Sequence, residues 1–164
     1  MPMTIRCPDS LAIDMTGESV CLRPLAQEML VEVCRLEQAC FAEPWSEKSL
    51  TLLLEENAIG ITLWADGCLV AYGGLLTVLD EGQITNIAVS PDSRRRGFGK
   101  AVLTALTEAA RERGLSVLSL EFRASNAAAI GLYETNGWVK AGERKNFYRF
   151  PTESAIVMLL DLKQ

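Results

Sequence analysis

Ile87-Ala-Val-Ser-Pro-Asp-Ser-Arg-Arg-Arg-Gly-Phe-Gly-Lys100 runs from an alternating, strand-like segment through three arginines and two glycines into an amphipathic helix. Backbone N–H groups at a helix start, beside glycines and with the helix dipole aligned, make an anion site, and its natural ligand is a phosphate or pyrophosphate. Three phosphate patterns compete for this stretch. A P-loop needs a glycine five residues before its Gly-Lys pair and a Ser or Thr after it, whereas those positions hold Arg94 and Ala101. A dinucleotide fingerprint could use Gly97 and Gly99, with Glu121 about 20 residues on, but Val102 replaces its third small residue and Pro91–Arg96 separates strand from glycines. The third pattern, Arg-x-x-Gly-x-Gly, is met by Arg94, Gly97 and Gly99. Its structural alternative is a basic turn that needs glycine only for steric reasons.

The surrounding sequence supplies the elements on which this loop would sit. Ser19–Arg23 is a short strand, and Ala26–Ala39 a helix with Met29, Leu30, Val33 and Leu36 inward. Ser46 caps a second helix over Glu47–Glu56, whose Leu52–Leu54 are expected inward. Ile59, Ile61 and Leu63 then alternate with Gly60, Thr62 and Trp64, and Asp66-Gly67 turns the chain into a partner strand, Cys68–Leu79. A turn at Asp80-Glu81-Gly82 leads to strand Gln83–Ser90. A helix over Gly97–Arg113 stops at Gly114. Strand Leu115–Arg123, helix Asn126–Asn136 and strands at Trp138–Arg149 and Ser154–Leu160 complete the chain. The order β-α-α-β-β-β-α-β-α-β-β predicts an α/β (α+β) fold with a mixed, mostly antiparallel sheet. Residues 1–17 are expected to be a lead-in, and residues 18–164 one domain.

Composition narrows the chemistry. The 164 residues suit one core, and 49% apolar with 23% charged residues is ordinary for a globular chain. A net charge of -5 argues against general nucleic-acid binding. There is no histidine, which removes Ser-His and Cys-His nucleophile pairs and every histidine-containing zinc site, and no metal is expected. Five cysteines, with no C-x-x-C pair, suit reduced thiols. No segment has the length or apolarity of a signal peptide or membrane span, so a cytoplasmic protein is expected.

A second segment, Leu120-Glu-Phe-Arg-Ala-Ser-Asn-Ala-Ala-Ala-Ile-Gly-Leu-Tyr-Glu-Thr-Asn-Gly-Trp138, decides between the readings of the glycine loop. Together with Arg94, Gly97 and Gly99 it resembles the signatures of the Gcn5-related N-acetyltransferases (GNAT), over about residues 18–162. Within that family the likeness is to the RimI-type alanine N-acetyltransferases of bacterial ribosomes. It is carried by Cys40-Phe-Ala-Glu-Pro-Trp-Ser46, Asn86-Ile-Ala-Val89, the run from Glu121 to Ile130, and Asn146-Phe-Tyr148. One departure is Cys40, where some members have histidine.

The resemblance implies acetyl transfer from acetyl-CoA to an amine, with Glu121 as general base and Tyr133 as general acid. It implies cofactor contacts from Ile87, Ala88, Val89, Arg94, Arg95, Arg96, Gly97, Phe98, Gly99, Lys100 and Asn126. Acceptor contacts from Trp45 and Tyr148 would follow, and the implied acceptor is the N-terminal α-amine, alanine, of a small basic ribosomal protein. The residues themselves are compatible with these roles. Glu121 shares a strand face with Val117 and Ser119, opposite Leu118, Leu120 and Phe122. Its structural alternative is a salt bridge to Arg123 or Lys140. Tyr133 lies seven residues after Asn126 on the same helix face, and a core tyrosine is its alternative. Asn126 would cap its helix whatever the function. Glu55, Glu56, Asp80 and Glu81 are expected near an acceptor groove as an acidic field for a basic peptide. A GNAT enzyme acting on a small amine or antibiotic, and a non-catalytic acetyl-CoA-binding module, remain as alternatives.

Overall fold

The hairpin at Asp66-Gly67 organises the centre of the molecule. Both residues adopt left-handed backbone angles (φ 48° and 80°), the conformation that a two-residue hairpin turn requires. The computed structural model describes residues 12–13 and 19–163. Its eight strands are β1 (Ala12–Ile13), β2 (Ser19–Pro24), β3 (Ala58–Ala65), β4 (Cys68–Val78), β5 (Glu81–Val89), β6 (Val117–Arg123), β7 (Val139–Tyr148) and β8 (Glu153–Asp161). They form one sheet in the order β1-β2-β3-β4-β5-β6-β8-β7, antiparallel except for β5 with β6. The mixed, mostly antiparallel sheet is therefore as the sequence implied. One strand is added: Ala12–Ile13, inside the expected lead-in, pairs with β2. The rest of residues 1–18 lies outside the described residues.

Among the described residues four α-helices cover the sheet: α1 (Leu30–Cys40), α2 (Glu47–Leu50), α3 (Phe98–Glu112) and α4 (Ala127–Thr135). Leu30, Val33 and Leu36 of α1 join Leu50, Leu53, Tyr72 and Ala88 in a core on one face. Val102, Leu103 and Leu106 of α3, with Tyr133 of α4, pack on the other face against Ile59, Ile61, Leu63, Leu120 and Phe122. Every residue of β3 is buried, because helices lie on both sides of it; the alternation seen in its sequence separates two cores rather than core from solvent.

Three expectations are corrected. The first helix begins as a 3-10 turn, Gln27–Met29, before α1 proper. The second is α-helical only to Leu50 and continues as a 3-10 turn, Thr51–Leu54. With three residues per turn, Leu50 and Leu53 stack on one side, so Leu53 is buried while Leu52 is 49% exposed. The turn after β4 is at Leu79-Asp80 and not at Asp80–Gly82, since Val78 pairs directly with Glu81. Gly82 belongs to the strand, where a Cβ would sit 2.7 Å from Leu118 and Leu75; close packing, not a turn, requires glycine there.

The feature that positions a site is the divergence of β5 from β6. Their parallel pairing covers only Glu81–Gln83 with Val117–Ser119. On the other side of β5, Gly74 pairs with Asn86 and Leu75 with Ile84, which leaves Thr85 as an extra residue. Such a bulge bends the strand that carries it. Beyond it, Asn86–Val89 and Leu120–Arg123 form the two sides of a wedge-shaped gap.

Candidate active site

One wall of the gap is a strand edge. Ser90 N–H donates to the Val70 carbonyl on β4 (2.8 Å), so by strand alternation Ala88 also turns its backbone toward β4. Ile87 and Val89 turn theirs toward the gap. Of the three strand residues expected at the cofactor, only these two offer backbone groups there, and the Ala88 methyl is buried in the core under α1. The Val89 carbonyl already accepts from the Cys40 thiol and from Arg94 Nε, each at 3.3 Å. Burial raises the Cys40 pKa, with Arg94 opposing, so the group is a thiol that packs and donates.

The glycine loop closes one end of the gap. Pro91–Ser93 form a 3-10 turn, Arg95 adopts φ 64°, and Gly97 caps α3 at φ 82°, a conformation open to glycine. Ala101 N–H makes an intrahelical bond to the Gly97 carbonyl, leaving the N–H groups of Phe98, Gly99 and Lys100 at the helix mouth. The Phe98 ring is buried in the core with the Arg96 guanidinium 4.8 Å from its centre, so only its backbone faces the loop. Arg94, Arg95 and Lys100 are exposed. Gly99 is informative because the fold itself does not need it: an added Cβ would meet Val89 Cγ2 at 3.5 Å and Leu132 Cδ2 at 4.0 Å, both ordinary contacts. A glycine kept in a helix without internal reason suits the close approach of an external group.

Glu121 and Tyr133 flank β6 from its two faces. Glu121 is on the face away from α3 and α4, with its side chain 14% exposed and its carboxylate 3.1 Å from Arg144 Nε. The ion-pair partner is thus Arg144 of β7, neither Arg123 nor Lys140; register, not sequence proximity, selects it. Arg144 is 60% exposed and lies 5.6 Å from the centre of the Phe147 ring. Tyr133 lies on the opposite face, packed between Phe122 (5.5 Å) and Trp138 (5.7 Å). Burial pushes its hydroxyl up to about 12. Asn126 caps α4, accepting from Ala129 N–H at 3.1 Å.

Tyr148 stands at the end of β7. Desolvation, reinforced by the Glu121 charge, raises its hydroxyl pKa. Arg123 stacks on its ring at 4.6 Å and holds the following turn by donating to the carbonyls of Arg149 (2.9 Å) and Pro151 (3.0 Å) and to Glu153 (3.3 Å). Trp45 is half-buried against the core under α1, and its backbone N–H donates to Glu37 Oε2 at 2.9 Å.

The acidic field is corrected. Glu81 starts β5, Asp80 lies in the turn before it, and Glu55 and Glu56 precede β3, whose Ala58 pairs with Leu76 at the end of β4. All four are at the end of the sheet opposite the gap, and Asp80 there accepts from Ser116 (2.6 Å). A groove of about 770 Å³, bordered by Arg111, Asn136, Leu159 and Asp161, is at that same far end and contains none of the expected site residues. Sequence reading missed Glu37 and Arg144. Glu37 was findable: it stands seven residues after Leu30, on the apolar stripe of α1, and a carboxylate there must be buried.

The fold is shared with known proteins. Residues 30–138 match the model of the acetyltransferase (GNAT) family. The [ribosomal protein bS18]-alanine N-acetyltransferase of Escherichia coli (strain K12) is 43% identical over 131 residues, covering 77% of this chain and 87% of the relative. The enzyme of the same name from Haemophilus ducreyi is 35% identical over 130 residues, covering 77% and 90%. The crystal structure of the ribosomal-protein-S18-alanine N-acetyltransferase from Escherichia coli superposes with a TM-score of 0.83 at 39% identity, covering 87% of this chain and 94% of that one.

Proposed function

Because this chain belongs to the GNAT acetyltransferase family, we propose that it transfers the acetyl group of acetyl-CoA to the N-terminal α-amine, alanine, of a small basic ribosomal protein in the cytoplasm. The observation that carries the reading is the gap itself. An unpaired strand edge and a glycine-opened helix mouth adjoin it, and a carboxylate and a phenol stand on the two faces of the strand across it. The acceptor class is supported by the bS18-alanine N-acetyltransferases, at 35–43% identity over most of the chain.

The residues fit acetyl-CoA. The N–H groups of Phe98, Gly99 and Lys100, with Arg94, Arg95 and Arg96 nearby, suit the pyrophosphate, and Gly99 leaves it room. Ile87 and Val89 offer the pantetheine amides a strand edge, as a β-sheet accepts an added strand. Asn126, at the start of α4, would border the same molecule. When bound, acetyl-CoA supplies the acetyl group and a thiolate as leaving group.

Glu121 removes a proton from the acceptor. An α-ammonium has a pKa near ~7.7–8.0, so a carboxylate acting directly or through one water takes a proton that is loosely held. Arg144, paired with Glu121 and largely exposed, must share the carboxylate with the incoming ammonium. The Val89 N–H, turned to the gap, is the donor available to a carbonyl oxygen that gains charge. Tyr133, with its pKa near 12, remains protonated at neutral pH and delivers its proton to the departing sulfur. Trp45 and Tyr148, on the α1–α2 loop and the β7–β8 hairpin, form the acceptor side.

The test is direct. Incubation with labelled acetyl-CoA and an Ala-initiated basic peptide, free lysine, spermidine and an aminoglycoside should acetylate the peptide far faster than the others. Mass spectrometry should find the label on the α-amine. Label on a lysine side chain, or a small amine outcompeting the peptide, overturns the N-terminal reading.

A further inference from the structure

Glu37 is fully buried in the last turn of α1, and its carboxylate joins three separate parts of the fold. The Tyr72 hydroxyl of β4 and the Asn86 amide of β5 both donate to Oε1. The Trp45 backbone N–H donates to Oε2 at 2.9 Å, across eight residues of chain. One turn further, the Cys40 thiol touches the Val89 carbonyl, so the loop from Phe41 to Ser46 leaves α1 at the margin of the gap. Glu121 faces the same side of the sheet as α1. We propose that Glu37 is a positioning residue, which clamps the α1–α2 loop to the two strands and so fixes the acceptor wall of the groove; this rests on the acceptor reading above.

Stability alone does not explain a carboxylate at this point. Burying an ionised group carries a desolvation penalty, and a well-packed apolar side chain often serves a core equally well. The helix dipole also disfavours a negative charge near the C-terminal end of α1. What the carboxylate provides, and an apolar side chain cannot, is an acceptor for the Trp45 N–H while its other oxygen is held by the sheet. Trp45 immediately precedes Ser46, whose hydroxyl accepts from Ser49 N–H (3.1 Å) to start α2. The clamp therefore sets the loop and the first turn of α2 together. The strand edge at Ile87–Val89 keeps its own ladder to β4, so cofactor contacts there do not depend on the clamp.

The experiment compares three variants in steady-state assays against an Ala-initiated peptide. Glu37→Met retains volume and removes both acceptors; it should raise the peptide KM roughly 10- to 100-fold, the effect of losing a hydrogen bond to a charged group, with the acetyl-CoA Kd within about twofold. Tyr72→Phe leaves the Oε2–Trp45 bond in place, so it should lower Tm while changing the peptide KM less than about threefold. Glu37→Gln should recover most of the KM, because its amide oxygen can face Trp45 while its N–H group donates to Asn86 Oδ1, which has no hydrogen-bond partner among the described residues. Should Glu37→Met fail to fold, Glu37→Asp, too short to reach both Trp45 and Tyr72, carries the same comparison. Hydrogen–deuterium exchange over Phe41–Ser46 gives a readout without turnover: faster in Glu37→Met or Glu37→Asp, near wild type in Glu37→Gln. KM rising with Tm loss in every variant alike, a changed acetyl-CoA Kd in place of KM, or unchanged exchange would overturn the clamp. If the wild type acetylates no peptide N-terminus, the acceptor reading falls, while exchange still decides whether Glu37 holds the loop.

Discussion

Substituting Gly99 by glutamate separates what the fold needs from what a ligand needs. The ligand-free protein has space at this position, since the nearest side-chain atom to an added Cβ is 3.5 Å away. Exchanging glycine for a residue of better helix propensity is worth up to ~1 kcal/mol, and a carboxylate in the first turn of α3 is favoured by the dipole by a further ~0.3–1 kcal/mol. The ligand-free variant should therefore melt at or slightly above the wild-type temperature. Acetyl-CoA at about 100 times its Kd stabilises the wild type by ~2.7 kcal/mol, which for a chain of this size is a Tm increase of roughly 5–10 °C. In Gly99→Glu that increase should vanish, because bulk and like charge occupy the approach of the pyrophosphate. Gly97→Ala gives the opposite first result: φ 82° is strained for alanine by about 1–2 kcal/mol, so the ligand-free Tm should fall. Differential scanning fluorimetry with acetyl-CoA and with NADH reads all of these. A full acetyl-CoA shift in folded Gly99→Glu, or a shift with NADH and none with acetyl-CoA, would refute the assignment of the loop.

Other expectations are more compact. Glu121→Gln and Tyr133→Phe should each slow turnover by about 100- to 10,000-fold with little change in acetyl-CoA affinity, and the Glu121 variant should partly recover at high pH as the amine loses its proton unaided; near-normal rates in both at neutral pH would remove them from the mechanism. Tyr133 also makes a stability prediction. Its hydroxyl titrates near 12 in the folded protein against 10 ordinarily, so the folded state holds a proton that the unfolded state loses. Wild-type stability should fall relative to Tyr133→Phe as pH rises from about 10 toward 12, with no such trend below 9, and urea unfolding at each pH measures it. Glu55→Gln and Glu81→Gln should leave the peptide KM unchanged at physiological ionic strength. Glu81 is eight residues of strand, ~26 Å, from Val89, about three screening lengths. A clear KM increase in either would return the acceptor to that end.

By itself the sequence determined most of the elements and the local geometry of the glycine loop. Those are local properties: Asp66-Gly67 can form its turn, Ser46 and Asn126 can cap their helices, and Gly97 can open α3, all through contacts within a few residues. The face of Glu121 was likewise legible, because strand alternation has a fixed period of two. Tertiary structure decided the partners. Glu121 meets Arg144 because β8 pairs with both β6 and β7, so the two side chains meet across it, more than 20 residues apart in a way that no spacing encodes. The four acids are far from the gap because β5 and β6 run parallel and part only at their C-terminal ends, which a list of strands does not reveal. Gly82 resembles a turn residue in sequence, yet it is a packing residue under Leu118 and Leu75. Glu37 lies between these cases: helical periodicity announces that it is buried, but only the assembled sheet supplies Tyr72, Asn86 and the Trp45 N–H that make a buried carboxylate tolerable.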